Sequence, residues 1–149
     1  MGCLAVHTRL ADFENRCREK GLKITHQRLE IYRELLAATD HPSVEAVFQR
    51  VRKRIPTISI DTVYRTLALL EQSGMIHRIQ TAEGPARYES DHGLHHHLIC
   101  NRCHEVVDFN WESFDALAPP PAIKDWGLIQ GKNIVITGIC QQCCEQQLK

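Results

Sequence analysis

The chain has 149 residues, with 18 Lys and Arg against 18 Asp and Glu, nine His and seven Cys. That length suits one ordinary domain or two small ones, and 43% hydrophobic with 24% charged residues excludes a disordered chain. No run reaches the roughly 18 apolar residues of a membrane span, and residues 1–21 lack an apolar signal core, so a cytoplasmic protein with no membrane partner is expected. The zero net charge is a sum over unlike halves. Residues 1–88 carry fourteen basic and ten acidic side chains, a surplus of +4, and residues 89–149 carry four and eight, a deficit of −4. Five of the seven Cys and five of the nine His lie in that second, shorter part.

The first half reads as helices. From Thr8 to Lys20, Leu10, Phe13 and Cys17 recur at helical spacing and Gly21 is a natural stop. Thr25 is an N-cap for a second helix that buries Leu29, Ile31, Tyr32, Leu35 and Leu36. After the turn Asp40-His41-Pro42-Ser43, Ser43 caps a third helix, with Val44, Val47, Phe48 and Val51 inward and Arg50, Arg52, Lys53 and Arg54 outward. Ser59 opens a fourth, on which Ile60, Val63, Leu67 and Leu70 form one stripe. Gly74 ends it. Met75–Thr81 and Ala86–Glu89 then read as two strands joined by a turn. Helices followed by a small hairpin is the order of a winged helix-turn-helix. Helical folds that bind no DNA share it.

Ser90–Gly93 reads as a hinge. Beyond it strands are expected at His96–Cys100, Glu105–Phe109 and Asn133–Ile139, an amphipathic segment at Trp111–Ala118 cut by Pro119-Pro120-Pro121, and a short helix after Cys140. The fold class is α+β: an N-terminal winged helix-turn-helix domain over 1–89, a hinge over 90–94, and a small α/β domain over 95–149.

Three constellations carry chemistry. Cys100-Asn-Arg-Cys103 and, after 36 intervening residues, Cys140-Gln-Gln-Cys143 are two C-x-x-C knuckles, the ligand set of a tetrahedral structural zinc site. Paired disulfides and a redox dithiol are the alternatives. The missing secretion signal opposes the first, and the absence of a βαβ pattern the second. Cys144 is a competing ligand beside Cys143, while Cys3 and Cys17 read as packing or incidental thiols. In the second constellation, His95 and His97 share one face of an extended strand, and Cys100 has the opposite parity. With Asp108 on the next strand and Glu89 before the hinge, imidazoles and carboxylates without thiolate suit Fe²⁺ or Mn²⁺, with Zn²⁺ and Ni²⁺ still possible. A polar surface strand with incidental histidines is the plain reading, and His92 and His104 stand close by. The third is the fourth helix, where Ser59, Thr62, Tyr64 and Arg65 at the N-terminal end, together with Arg28 on the second helix, are placed to meet bases or phosphates. Each alone is an ordinary surface residue, but with the +4 surplus they favour double-stranded DNA.

The stretches Gly21-Leu-Lys-Ile-Thr-His-Gln-Arg28, Asp40-His-Pro-Ser43, Ile58-Ser-Ile-Asp-Thr-Val-Tyr-Arg-Thr-Leu67, His95-His-His-Leu-Ile-Cys-Asn-Arg-Cys103, Val106-Val-Asp-Phe109 and Gly138-Ile-Cys-Gln-Gln-Cys143 together resemble the ferric uptake regulator (Fur) family over nearly the whole length. The resemblance implies a homodimeric repressor that binds a palindromic operator, is no enzyme, and dimerises through the C-terminal domain. It implies one structural Zn²⁺ per subunit on Cys100, Cys103, Cys140 and Cys143. It also implies one regulatory Fe²⁺ or Mn²⁺ per subunit on His41, Glu89, His95, His97 and Asp108, joining the DNA-binding half to the dimerisation half. Asp108 resembles the peroxide-sensing PerR members, whereas Glu89 is the choice of iron-type Fur. A further metal site of many Fur proteins lacks its ligands here, with Leu94, His96 and Lys132 at those positions. The PerR-like reading implies that Fe²⁺-catalysed oxidation strikes His41 or His95 and releases DNA. An iron-availability repressor is the nearest rival; a zinc or nickel sensor, a thiol oxidoreductase and a metal hydrolase stand further off.

Overall fold

A computed structural model describes residues 2–81, 84–90 and 93–146, with side chains described from Thr8 onward. The chain divides into two compact units, Met1–His92 and Gly93–Lys149.

The first unit contains α1 (Gly2–Glu19), α2 (His26–Ala37), α3 (Val44–Arg52), α4 (Ile60–Gln72) and the strands β1 (His77–Ile79) and β2 (Arg87–Glu89). Three helices start where the sequence offers a side-chain acceptor. Thr25, Ser43 and Ser59 sit in extended conformation and accept from the N–H groups of Arg28, Ala46 and Thr62. Gly74 takes φ +65, the left-handed conformation that turns the chain out of α4. The apolar stripes meet in one core: Phe13 stacks on Tyr32 at 4.3 Å between ring centroids, and Ile31, Val47, Val51, Val63 and Leu67 are fully buried around them. β1 and β2 pair antiparallel, Arg78 opposite Tyr88, and Met75 and Ile76 before them are buried in the same core. This is a winged helix-turn-helix.

Two expectations here need correction. α1 begins six residues before Thr8, because residues 2–7 contain no proline and include the strong helix formers Leu4 and Ala5. The strands are also shorter than the patterns suggested, since Met75 and Ile76 serve as core beneath the hairpin and not as ladder. The hairpin turn residues 82 and 83 lie outside the described residues.

The second unit is a three-stranded sheet in the order β4-β3-β5, with β3 (His96–Cys100) antiparallel to β4 (Val106–Phe109) and parallel to β5 (Val135–Gly138). The segment expected to be amphipathic over Trp111–Ala118 is helical only at α5 (Glu112–Asp115). Trp111 supplies no capping acceptor, and the three prolines begin four residues after Asp115. A 3-10 turn at Pro121–Ile123 and α6 (Gln141–Gln146) complete the unit. The strand ranges are one or two residues shorter at their ends than expected for β4 and β5.

Candidate metal centres and nucleic-acid interface

The four-cysteine cluster is built by backbone hydrogen bonds at both knuckles. After β3, Cys100 donates its N–H to Glu105 O at 3.0 Å and His104 returns one to Cys100 O at 2.9 Å, closing a turn in which His104 takes φ +59. Asn101 donates to Gly138 O at 2.8 Å, which brings the end of β5, and so the second knuckle, beside the first. The Sγ atoms of Cys100, Cys103, Cys140 and Cys143 all lie within 4.8 Å of one another, and Cys103 and Cys140 are 3.7 Å apart. Sulfurs around a tetrahedral zinc, with bonds of about 2.3 Å, lie about 3.8 Å apart, whereas a disulfide brings them to about 2.05 Å. The described cysteines are all free thiols.

The electrostatics of the cluster call for a cation. The N–H groups of Cys103, Cys140 and Arg102 aim at Cys100 and pull its thiol down to about 6, so it is a ready thiolate. Burial and the sulfurs of Cys140, Cys103 and Cys100 push Cys143 up to about 12, because each further negative charge would repel the others. A divalent metal removes that conflict, and the donor set fits zinc. Cys144 points away, its thiol directed at Ile139 O.

In the first unit, the His41 and Glu89 side chains meet, with Nε2 and Oε2 3.3 Å apart and both groups buried. Tyr88 N–H donates to Pro42 O at 3.1 Å, which ties β2 to the turn carrying His41. Ser90 continues that anchorage: its hydroxyl donates to Leu35 O and its own carbonyl accepts from Arg9. His41 sits at φ +48, a left-handed conformation costly for a non-glycine residue.

In the second unit, His97 and Asp108 are direct partners across β3 and β4. Three donor atoms converge there: His95 Nε2 to His97 Nε2 is 3.1 Å, His97 Nε2 to Asp108 Oδ1 is 3.4 Å, and His95 Nε2 to Asp108 Oδ1 is 3.8 Å. Atoms bonded to one metal at about 2.1 Å stand at such separations. The tautomer of His95 also suits ligation. Its Nδ1 lies 2.9 Å from Gly93 O, and a carbonyl only accepts, so Nδ1 carries the proton and Nε2 the lone pair.

His96, between them, is different. Its ring is wholly buried against Phe109 and Phe114, Nδ1 accepts from Ile134 N–H at 3.2 Å, and Nε2 faces Asp115 at 3.2 Å. Sequence reasoning gave this residue no role, since strand parity alone does not show which side of a thin sheet is covered. Lys132 sits nearby, its ammonium donating to Phe114 O at 2.6 Å and to Leu117 O and lying over the Phe114 ring. His92 lies outside the described residues, and His104 belongs to the cysteine knuckle.

On α4, Ser59 and Thr62 hold the cap, their hydroxyls 2.8 Å apart, and Tyr64 and Arg65 are exposed. Arg65 pairs with Asp61 at 2.9 Å, a bond so exposed that a phosphate can replace it at little cost. Arg28 donates to Lys23 O at 2.6 Å. The cations expected outward on the third helix are less free than their spacing suggested, and Arg54 lies in the turn beyond the end of α3 at Arg52. Arg50 binds Asp40 and reaches Glu34, while Arg54 binds Glu30 and Glu34, each at 2.8 Å. Part of the basic surplus is thereby neutralised within the unit.

Residues 19–126 match the Ferric uptake regulator family. The chain belongs to this family. It is 39% identical over 107 residues to the ferric uptake regulation protein of Brucella abortus, covering 71% of this chain and 76% of that one. It is 27% identical over 130 residues to the peroxide-responsive repressor PerR of Staphylococcus epidermidis, covering 87% and 86%. Its fold matches the Helicobacter pylori ferric uptake regulator, a protein with three functional metal-binding sites, with a TM-score of 0.78 over 93% of both chains at 24% identity. As a Fur-family member the chain is a metal-responsive regulator, and its relatives include both PerR and Fur proteins.

Proposed function

We propose that this Fur-family chain is a DNA-binding transcriptional repressor of the PerR type, a homodimer that senses peroxide through a metal-ligated histidine. Residues 1–89 form the DNA-binding domain, 90–94 a hinge, and 95–149 the dimerisation and metal-binding domain. Cys100, Cys103, Cys140 and Cys143 hold a structural Zn²⁺. His41, Glu89, His95, His97 and Asp108 hold a regulatory Fe²⁺ or Mn²⁺. The observation that carries the regulatory assignment is the convergence of His95, His97 and Asp108 on one point, with no thiolate among them.

Ligands drawn from both units would restrict the orientation in which Ser59, Thr62, Tyr64, Arg65 and Arg28 meet DNA. Two recognition helices of a dimer must reach major grooves about 34 Å apart, so fixing that orientation raises affinity for a palindrome. An Fe²⁺ ion bound there would supply the redox chemistry by which hydrogen peroxide oxidises a ligand. His41 and His95 are the residues expected to gain oxygen. An oxidised imidazole is a poorer donor, so the orienting tether is lost. The matched experiment exposes Fe²⁺- and Mn²⁺-loaded protein to low peroxide and records intact mass and DNA binding. The Fe²⁺ form is expected to gain the mass of one oxygen on His41 or His95 and release DNA, with the Mn²⁺ form unchanged. Unchanged mass with retained binding in the Fe²⁺ form refutes peroxide sensing.

A second reading, an iron-availability repressor with Fe²⁺ as co-repressor, is favoured by Glu89 and by the 39% identity to the Brucella protein. That same experiment separates the two.

A further inference from the structure

Beyond α5 the three prolines send the chain through a 3-10 turn and irregular backbone as far as Lys132, and that path bounds a cavity of about 490 Å³. Its walls include Phe114, Leu117, Pro120, Ile123, Trp126 and Ile129, all apolar and all within the second unit. A cavity of some hundreds of Å³ is the size that small-molecule ligands occupy. Trp126 is 78% exposed, a large ring that the described residues leave uncovered. An apolar body seated here gains contact with that ring.

One charge stands in this wall. Lys132 Nζ donates to Phe114 O and to Leu117 O and lies 4.9 Å from the centroid of the Phe114 ring. An ammonium has three N–H donors, so two are spent on carbonyls and one remains. Neither a carbonyl nor an aromatic ring carries a net charge to neutralise it. Asp115, next to Phe114 in the chain, faces His96 at 3.2 Å instead. Among the described residues no carboxylate pairs with Lys132.

We propose that this cavity binds a monocarboxylate with an apolar body, the carboxylate on Lys132 and the body against Trp126. A single negative charge is what one ammonium neutralises, and the remaining donor serves one carboxylate oxygen. A phosphate dianion would bring more acceptors than that donor satisfies, and the carbonyls of Phe114 and Leu117 would repel it. A sugar or a peptide would bury hydroxyls or amides against walls that offer them no partner. A body of about eight to fifteen non-hydrogen atoms suits the volume. None of the residues of the two candidate metal clusters lines the cavity, so the site is separate from both.

The probe is octanoate, with 1-octanol as its uncharged counterpart, titrated calorimetrically into full-length, zinc-loaded protein. The wild type is expected to bind octanoate with a dissociation constant below about 1 mM. Lys132→Gln keeps two N–H donors for the carbonyls but loses the charge and the third donor. It should raise the octanoate constant relative to the octanol constant by about tenfold, the worth of one charge-assisted hydrogen bond. Trp126→Ala should weaken both probes by about fivefold and leave their ratio unchanged, since it removes only apolar contact. A further measurement needs no variant: saturating octanoate should slow acylation of Lys132 by an amine-reactive reagent by about fivefold, with Lys124 unaffected. Absence of octanoate binding at millimolar concentration, an unchanged ratio in Lys132→Gln, affinities indifferent to Trp126→Ala, or equal labelling of Lys132 with and without octanoate overturns the proposal. So does a wild-type dimer that ignores octanoate and is dissociated by Trp126→Ala in sedimentation, which assigns the cavity to a second copy of the chain.

Discussion

The two units solve the problem of stability differently. In the first, sixteen buried residues from four helices and the wing form one core, and Ile60 and Tyr64 are its only large apolar side chains that stand exposed among the described residues. In the second, the buried apolar side chains among the described residues reduce to Ile99, Cys100, Val106 and Cys143, while Leu98, Val107, Trp126, Leu128, Val135 and Ile136 are open. A unit of 57 residues with so little core is below the size at which burial alone suffices, and such units rely on metals or association. The four-cysteine cluster and the uncovered sheet face are the two matching features. The first unit stands on packing; under the proposed function, the second stands on zinc ligation and on a second copy of the chain.

The largest expected effect breaks that contrast most visibly. Stripping zinc with a strong chelator, or Cys100→Ser, should unfold the second unit and abolish the dimer while the helices of the first persist, because structural zinc supplies about 10–16 kcal/mol of apparent folding free energy. Circular dichroism and sedimentation read both, and a folded, dimeric Cys100→Ser protein without zinc would contradict the four-cysteine assignment. Next, Leu67→Ala, at a fully buried site, should cost the first unit about 2–5 kcal/mol in urea unfolding and leave zinc content unchanged. Glu30 is buried and accepts from Arg33 at 2.6 Å and Arg54 at 2.8 Å, so Glu30→Ala should cost about 1–2 kcal/mol, less than a fully buried pair because both arginines are half-exposed. Ser59→Ala removes the cap of α4 for about 1 kcal/mol and should weaken DNA binding more than it weakens the fold. Each is checked by the same denaturant titration, supplemented for Ser59 by a DNA-binding curve.

How much of this was legible in the chain follows the same division. Thr25, Ser43 and Ser59 announce their helices because a cap is a local interaction three residues long. The cysteine knuckles were equally readable, since each is a short turn. What escaped was nonlocal. Arg50 and Arg54 read only as outward-facing cations, whereas Glu30 and Glu34 on α2 and Asp40 in the turn after it pair with them. His96 had no role in the sequence beyond standing where a further metal site lacks its ligand, yet Ile134, 38 residues away, donates to its ring. The bond from Tyr64 to Glu45 crosses 19 residues and left no periodic trace. The candidate ligand set at His95, His97 and Asp108 was partly visible, because strand parity predicts a shared face for the two histidines. That His41 and Glu89 meet came only through the family resemblance, since the backbone bond from Tyr88 to Pro42 that joins them has no signature in the sequence.

The central claim is that a metal on the His and carboxylate set controls DNA binding while the cysteine zinc stays in place. The most direct measurement titrates Mn²⁺ into zinc-loaded, full-length protein and follows affinity for a duplex obtained by selection from a randomised library. The account predicts that affinity rises with Mn²⁺, that His97→Ala and Asp108→Ala abolish the rise without releasing zinc, and that a mild chelator reverses it. Affinity equal with and without Mn²⁺, in protein whose zinc content is full, would contradict it.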